Sequence, residues 1–195
     1  MRHEVRFSGF GGQGIILSAV ILGRAAVMYA NKYAVQTQVY GPEARGGASM
    51  SQVIIDDNPI LFPKVSNPKI YVIMSQEGFE KYGASAPKDA VMFVDTTLVH
   101  SRPGCTCIEI PATREAKQTL GKDIVANIVM LGALVASTHV VSEAALEKAI
   151  LDSVPKGTEA LNQKALKLGL ELGKRTEEKR TEGSLEPEGT TGEKP

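Results

Sequence analysis

The sequence predicts an α/β fold of three layers, a mostly parallel sheet with helices on both faces and a Rossmann-like start. Three observations carry this expectation. An alternating run at residues 4–7 enters the glycine-rich segment Ser8-Gly-Phe-Gly-Gly-Gln-Gly14, and a long apolar stretch follows. Two short, continuously apolar runs at 69–74 and 90–95 flank a helical piece at 76–82, the pattern of parallel strands buried on both faces. Beyond residue 112 the pattern is helical. With 195 residues, 43% of them hydrophobic, the chain suits one such core, and two separate domains would be cramped.

The elements are expected in the following order. The alternating run forms a first strand, the glycines a turn, and residues 14–30 a helix too apolar to lie in water, which is read as buried. Asn31 tolerates a left-handed C-cap and ends it. Residues 33–40 are β-branched and aromatic and read as a second strand, followed by the loop Gly41-Pro-Glu-Ala-Arg-Gly-Gly47 and a third alternating strand at 49–56. Asp57-Asn58-Pro59 is a turn. After the two buried strands comes a further strand at 105–110, then helices at 113–120, 123–137, 142–151 and 158–174, punctuated by Gly121 and Pro155. The domain is therefore expected to span 1–175. Residues 176–195 hold almost no large apolar side chain and are rich in Glu, Lys, Thr, Gly and Pro, so they are expected to form a disordered tail.

Composition excludes several classes of function. Lys plus Arg number 22 and Asp plus Glu number 22, so no net field recruits nucleic acid or an anionic membrane. No uncharged run reaches the roughly 20 residues of a membrane span. The N-terminus has no secretory signal and the only cysteines are Cys105 and Cys107, which points to a reducing cytoplasm. Two thiolates fall short of the four an iron–sulfur cluster normally takes, and His3, His100 and His139 have no neighbours at metal-ligand spacing, so no metal site is expected. No Walker lysine or nucleophile elbow is present, and no catalytic residue is assigned.

Two segments are candidate binding sites. Gly9, Gly11, Gly12 and Gly14 lie where a strand meets a helix, whose free N–H groups suit a phosphate or carboxylate. Their spacing fits G-x-G-x-x-G, yet the second strand ends near Gln38 and Tyr40 without the acid a nicotinamide ribose requires. The same glycines equally serve tight strand-to-helix packing or the approach of another backbone. Gln13 can donate to a ligand oxygen or bridge a subunit boundary. In the second segment, Pro42 stiffens the loop, Gly46 and Gly47 permit unusual dihedrals, and Glu43 and Arg45 carry opposite charges, suited to a ligand or to an internal ion pair.

The segments Phe7-Ser-Gly-Phe-Gly-Gly-Gln-Gly-Ile15, Gln36-Thr-Gln-Val-Tyr-Gly-Pro-Glu-Ala-Arg-Gly-Gly-Ala-Ser49 and Asp123-Ile-Val-Ala-Asn-Ile-Val-Met-Leu-Gly132 resemble the gamma subunit of 2-oxoacid:ferredoxin oxidoreductases. The resemblance implies a subunit, inactive alone, of an enzyme that decarboxylates a 2-oxoacid on thiamine diphosphate. Electrons then pass through iron–sulfur clusters to ferredoxin, and the acyl group is captured on coenzyme A. Thiamine diphosphate, magnesium and clusters would sit on alpha, beta and ferredoxin-like delta partner subunits. The wording Val35-Gln-Thr-Gln38 before the loop looks most like 2-oxoglutarate enzymes, with pyruvate and 2-oxoisovalerate types close. Gly9, Gly11, Gly12, Gln13, Gly14, Glu43, Arg45, Gly46 and Gly47 would then face coenzyme A or partner subunits. The competing readings are a stand-alone nucleotide-binding module and a non-catalytic adaptor.

Overall fold

The computed structural model describes residues 1–39 and 47–183. Six strands form one sheet in the order β2-β3-β1-β4-β5-β6, with β1 His3–Phe10, β2 Tyr33–Val39, β3 Ala48–Asp56, β4 Ile70–Ile73, β5 Val91–Asp95 and β6 Thr106–Ile110. β1, β4, β5 and β6 are mutually parallel. β3 runs against both β1 and β2, so β2 shares the direction of β1 although β3 separates them. The mostly parallel sheet expected from the sequence is present, with β3 as its single reversed strand. β3 reverses because it returns directly from β2, whereas the parallel steps need a crossover.

Helices cover both faces, unequally. One face carries α1 Ile15–Arg24, α3 Ala112–Leu120, α4 Ala126–Thr138, α5 Glu143–Leu151 and α6 Glu159–Gly183. Their apolar sides close over Val5, Phe7, Val53, Val72, Phe93 and Ile108. The other face has only the short α2 Gln76–Gly78 and a π-helical turn, Phe79–Gly83. These bring Phe79 onto Tyr71, Ile73, Met92 and Val94, and Cys105 and Cys107 of the β6 edge pack beside them. The strand expectation for the cysteines holds: two residues apart, both reach the same face.

Two sequence expectations are corrected. The apolar stretch after Gly14 is a helix continued by a π turn at Ala25–Tyr29 and ended by Asn31 at φ 51°, but only one side of it is buried. Ala19, Leu22, Ala25 and Ala26 are sealed, whereas Val27 and Met28 are 49% and 65% exposed. The helix lies near the β2 edge, where the sheet offers a surface on one side alone. The second correction concerns the C-terminus, where α6 continues to Gly183 and so runs eight residues into the segment read as tail. Glu, Lys and Arg are good helix formers, and propagation from an already packed helix needs no new apolar contact. Thr176 ties back through its hydroxyl to the Leu172 carbonyl at 2.9 Å. Residues 184–195 lie outside the described residues.

α4 is buried from Ala126 to Ala136, and α6 crosses it with backbone touching backbone. A Cβ on Gly132 would stand 2.7 Å from the Leu166 carbonyl oxygen, and one on Gly173 2.7 Å from that of Ala133. One on Gly169 would overlap the Val129 carbonyl outright. By helix propensity alone Gly169→Ala should stabilise α6 by about 1 kcal/mol. The fold reverses that sign: the methyl must push the helices apart, and overpacking of this kind costs about 1–3 kcal/mol. We expect Gly169→Ala to lower the melting temperature by several degrees in thermal unfolding, while Gly104→Ala, where a Cβ meets nothing within 4 Å, leaves it unchanged. Equal melting temperatures for the two variants would refute the close crossing.

Candidate functional site

The carboxyl ends of β1, β4 and β5 open on one side of the sheet, and the glycine turn lies there. Gly12 and Gly14 hold φ of 94° and 73°, conformations that favour glycine. The turn is fixed from within the chain by Gln13. Its Oε1 accepts the Phe10 N–H at 2.9 Å and its Nε2 donates to the Met74 carbonyl at 2.7 Å, tying the end of β1 to the end of β4. Met74 N–H reinforces the tie by donating to the Ser8 carbonyl at 2.8 Å. Within the chain, the Gln13 amide bridges two strands. Gly9 leaves room for that amide, since a Cβ there would collide with Gln13 and Ile15. Gly11 and Gly12 face open space, and among the described residues their N–H groups have no hydrogen-bond partner.

Beside the turn lies a crevice of about 180 Å³, lined by Phe10, Gly12, Gln13, Met74, Leu98, Thr113 and the entry to α4 at Asp123, Ile124 and Ala126. Phe10 and Ile124 form apolar lips, 40% and 66% exposed. Its polar wall is held by Asp95, fully buried at the end of β5. The Asp95 carboxylate accepts from the Thr113 N–H at 3.1 Å, from the Thr113 hydroxyl at 2.5 Å and from the Thr97 N–H at 3.1 Å. A carboxylate at the start of α3 suits the positive end of that helix. Asp95 is therefore an anchor of Thr113 and is turned away from the crevice chemistry.

The loop that follows β2 leaves the sheet at this same end. Val39 pairs with Met50, and Phe10 pairs with Ala48. The returning end of the loop is fastened to the site: Ala48 N–H donates to Glu77 Oε1 at 2.9 Å, and the Ser49 hydroxyl donates to the Gly9 carbonyl at 3.3 Å. Gly47 is described and half-buried. Glu43, Arg45 and Gly46 lie outside the described residues. Sequence reasoning missed Thr113 and Asp123, which line the crevice, and Asn127, which packs against Gly14; all three arrive there only because β6 and the segment before α4 return to the same end of the sheet. Asn127 alone left a signal, a polar residue inside the otherwise apolar run 124–136.

The donor set does not fit a metal or cluster. Burial, with Glu109 adding to it, pushes the Cys107 thiol up to about 11, and burial raises that of Cys105. Among the described residues no three His, Cys, Asp or Glu side chains gather at metal-binding geometry. A dinucleotide is also a poor fit. β3 stands where a ribose-binding second strand would neighbour β1, and the crevice is smaller than the roughly 300–1,000 Å³ of ordinary ligand pockets.

Residues 4–172 match the pyruvate ferredoxin/flavodoxin oxidoreductase family. The chain belongs to this family. It is 56% identical over 178 residues to the 2-oxoglutarate synthase subunit KorC of Methanocaldococcus jannaschii, covering 89% of this chain and 95% of the relative. Similarity to the pyruvate synthase subunit PorC of Methanothermobacter marburgensis is lower, 34% over 172 residues, with 86% of this chain and 96% of that one covered. Among solved structures, the gamma subunit of a keto/oxoacid ferredoxin oxidoreductase from Geobacter sulfurreducens superposes with a TM-score of 0.81 at 44% identity, covering 90% of this chain and 98% of that chain. The gamma-subunit resemblance read from the sequence is borne out. In this oxidoreductase subunit the crevice sits where open α/β sheets gather ligands, outside the carboxyl ends of the strands.

The Gln13 bridge is testable. Gln13→Ala removes two hydrogen bonds of a half-buried amide, which should cost about 1–3 kcal/mol. Gln13→Glu should do as badly, since a carboxylate can accept from Phe10 but faces the Met74 carbonyl with no proton to donate. Both variants should speed amide hydrogen exchange at residues 10–14, measured by mass spectrometry. Unchanged exchange in both would show that the turn holds its shape without the bridge.

Proposed function

We propose that this chain is the gamma subunit of a coenzyme A-acylating 2-oxoglutarate:ferredoxin oxidoreductase. It would act in the cytoplasm with alpha, beta and ferredoxin-like delta subunits that bear thiamine diphosphate, magnesium and iron–sulfur clusters, ferredoxin being the acceptor of the whole complex. The observation that carries the choice of substrate is the greater likeness to 2-oxoglutarate synthase subunits than to pyruvate synthase subunits. No side chain lining the crevice offers an electron sink for the carbanion left by decarboxylation, so the chemistry belongs to thiamine on a partner. Among the described residues no helix is long and apolar enough to cross a membrane.

The surface supports assembly. Met28, Val27 and Tyr33 are 65%, 49% and 49% exposed around the β2 edge, and Leu61 and Phe62 stand 87% and 81% exposed on the connection between β3 and β4. Apolar exposure of this kind is characteristic of interaction sites. The glycine turn, with Glu43, Arg45, Gly46 and Gly47 of the loop, is assigned to coenzyme A or to the partner surface that meets it.

The tests are direct. Tagged chain recovered from its native cell should bring down thiamine- and cluster-bearing subunits, and the complex should reduce ferredoxin with 2-oxoglutarate and coenzyme A. Pure chain alone should do nothing, and turnover by it would sink the proposal. Phe62→Ser should weaken recovery of partners without lowering the melting temperature, which a core position could not do. Arg45→Ala should weaken assembly or raise the coenzyme A requirement by about 1.5–3 kcal/mol, the scale of a charged hydrogen bond, and Arg45→Lys should restore only part of it. Lower stability of the isolated Arg45→Ala chain with normal assembly and coenzyme A kinetics would make the loop merely structural.

A further inference from the structure

β2 is the outermost strand of the sheet and, among the described residues, pairs on one side only. An open edge presents a row of outward N–H and C=O groups, and soluble proteins normally blunt it with charge, proline or a bulge. The far edge follows that rule, since Glu109 on β6 is paired with Arg102 at 2.9 Å. β2 does not. Its sequence Tyr-Ala-Val-Gln-Thr-Gln-Val holds neither a charge nor a proline, and its register against β3 runs from Tyr33 opposite Asp56 to Val39 opposite Met50 without a bulge. The surface on either side of this edge is hollow. Ala34 and Gln36, with Val20 of α1 and Met28 of the π turn, border a recess of about 370 Å³. Tyr33 and Val35, with Pro59 and Ile60, border another of about 680 Å³. Alternate side chains of the strand thus face different recesses. A strand added to the edge gains main-chain hydrogen bonds from β2 and places its own side chains in both.

Charge selects the occupant. The charged groups that border this face are engaged within the chain. Arg24 donates to the Asp152 carbonyl at 2.8 Å, Lys32 pairs with Asp57 at 2.9 Å, Lys148 stacks on the Tyr29 ring at 5.6 Å, and the Asp152 carboxylate accepts from the Tyr29 hydroxyl. Such a face offers no unmatched charge to a charged partner, and it meets a copy of itself without like-charge repulsion. With 22 basic and 22 acidic residues, the chain has no net charge to keep two copies apart. A two-fold axis through the middle of β2 sets two identical strands antiparallel, the arrangement in which an edge pairs with itself. Seven residues make a strand of about 24 Å. The strand and helix layers are each about 10 Å deep, so each copy buries about 500 Å² and the pair about 1,000 Å², the lower bound for a specific interface. We propose that the β2 edge and the outer side of α1 receive a second copy of this chain, the two β2 strands pairing to join the sheets in a weak, reversible dimer. This seam uses neither Leu61 nor Phe62, and it does not depend on the reaction assigned above.

Sedimentation equilibrium of the full-length chain over a dilution series should show a reversible monomer–dimer equilibrium. Amide hydrogen exchange at residues 33–38, followed by mass spectrometry, should be slower in the concentrated sample than in the dilute one. Thr37 is exposed near the middle of the edge, so Thr37→Lys brings like charges close across the seam and should raise the dimer dissociation constant by at least about tenfold. Thr37→Glu should do the same. Mixing the two variants should restore a dimer, because opposite charges then meet across the axis, a rescue that only a seam between copies produces. At dilutions where the wild-type chain is monomeric, both variants should melt close to its temperature. A chain monomeric at every concentration, a dimer that neither substitution weakens, or one whose slowed exchange lies away from β2 overturns the proposal. So does slowing at residues 33–38 that appears only when other subunits are added, which would give this edge to a different partner. If a variant fails to fold, the wild-type dilution and exchange series decides alone. Failure of the subunit reading would appear elsewhere, in the recovery of partner subunits, which this equilibrium does not touch.

Discussion

The position of α4 governs this molecule, and it is set by places where no Cβ fits. Gly132, Gly169 and Gly173 let α4 and α6 meet through their backbones, and Gly14 lets the first turn of α4 rest on the N-cap of α1. Close-packed interiors transmit such constraints because a displaced helix finds no second low-energy seat. Moving α4 outward by one methyl would open the core between Phe93, Ile128 and Leu134, and would also withdraw Ala126 from the crevice. Stability and site geometry therefore share one cause.

The site is assembled by direction as much as by residues. β1, β4, β5 and β6 end at one side, and β3, by reversing, delivers the return of the 40–47 loop to that side as well. Gln13 and Asp95 act as internal fasteners there, one between strand ends and one between β5 and α3. Their hydrogen-bonding groups are engaged within the chain, whereas the Gly11 and Gly12 N–H groups have no partner among the described residues.

Much of this was legible beforehand. The glycine turn, the buried strands β4 and β5, the C-cap at Asn31 and the paired packing of Cys105 and Cys107 all follow from local periodicity and residue type, since each depends on neighbours a few positions away. The open side of α1 was not legible, because an apolar stretch reads the same whether its outer side meets its own chain or another. The extension of α6 was missed for a related reason: lack of apolar anchors argues against docking, and says little about a helix propagating from one already packed.

By itself the sequence determined the fold class and the family. These depend on patterns of covalent neighbours and on long motifs that retain their register. Only the tertiary structure decided that β3 separates β1 from β2 and that Gln13 spends its amide on Met74. It also decided that Asn127, more than a hundred residues further along the chain, packs against Gly14. Such pairings depend on strand order and on helix approach within an ångström, which are properties of the packed whole and are invisible to any local stretch of residues.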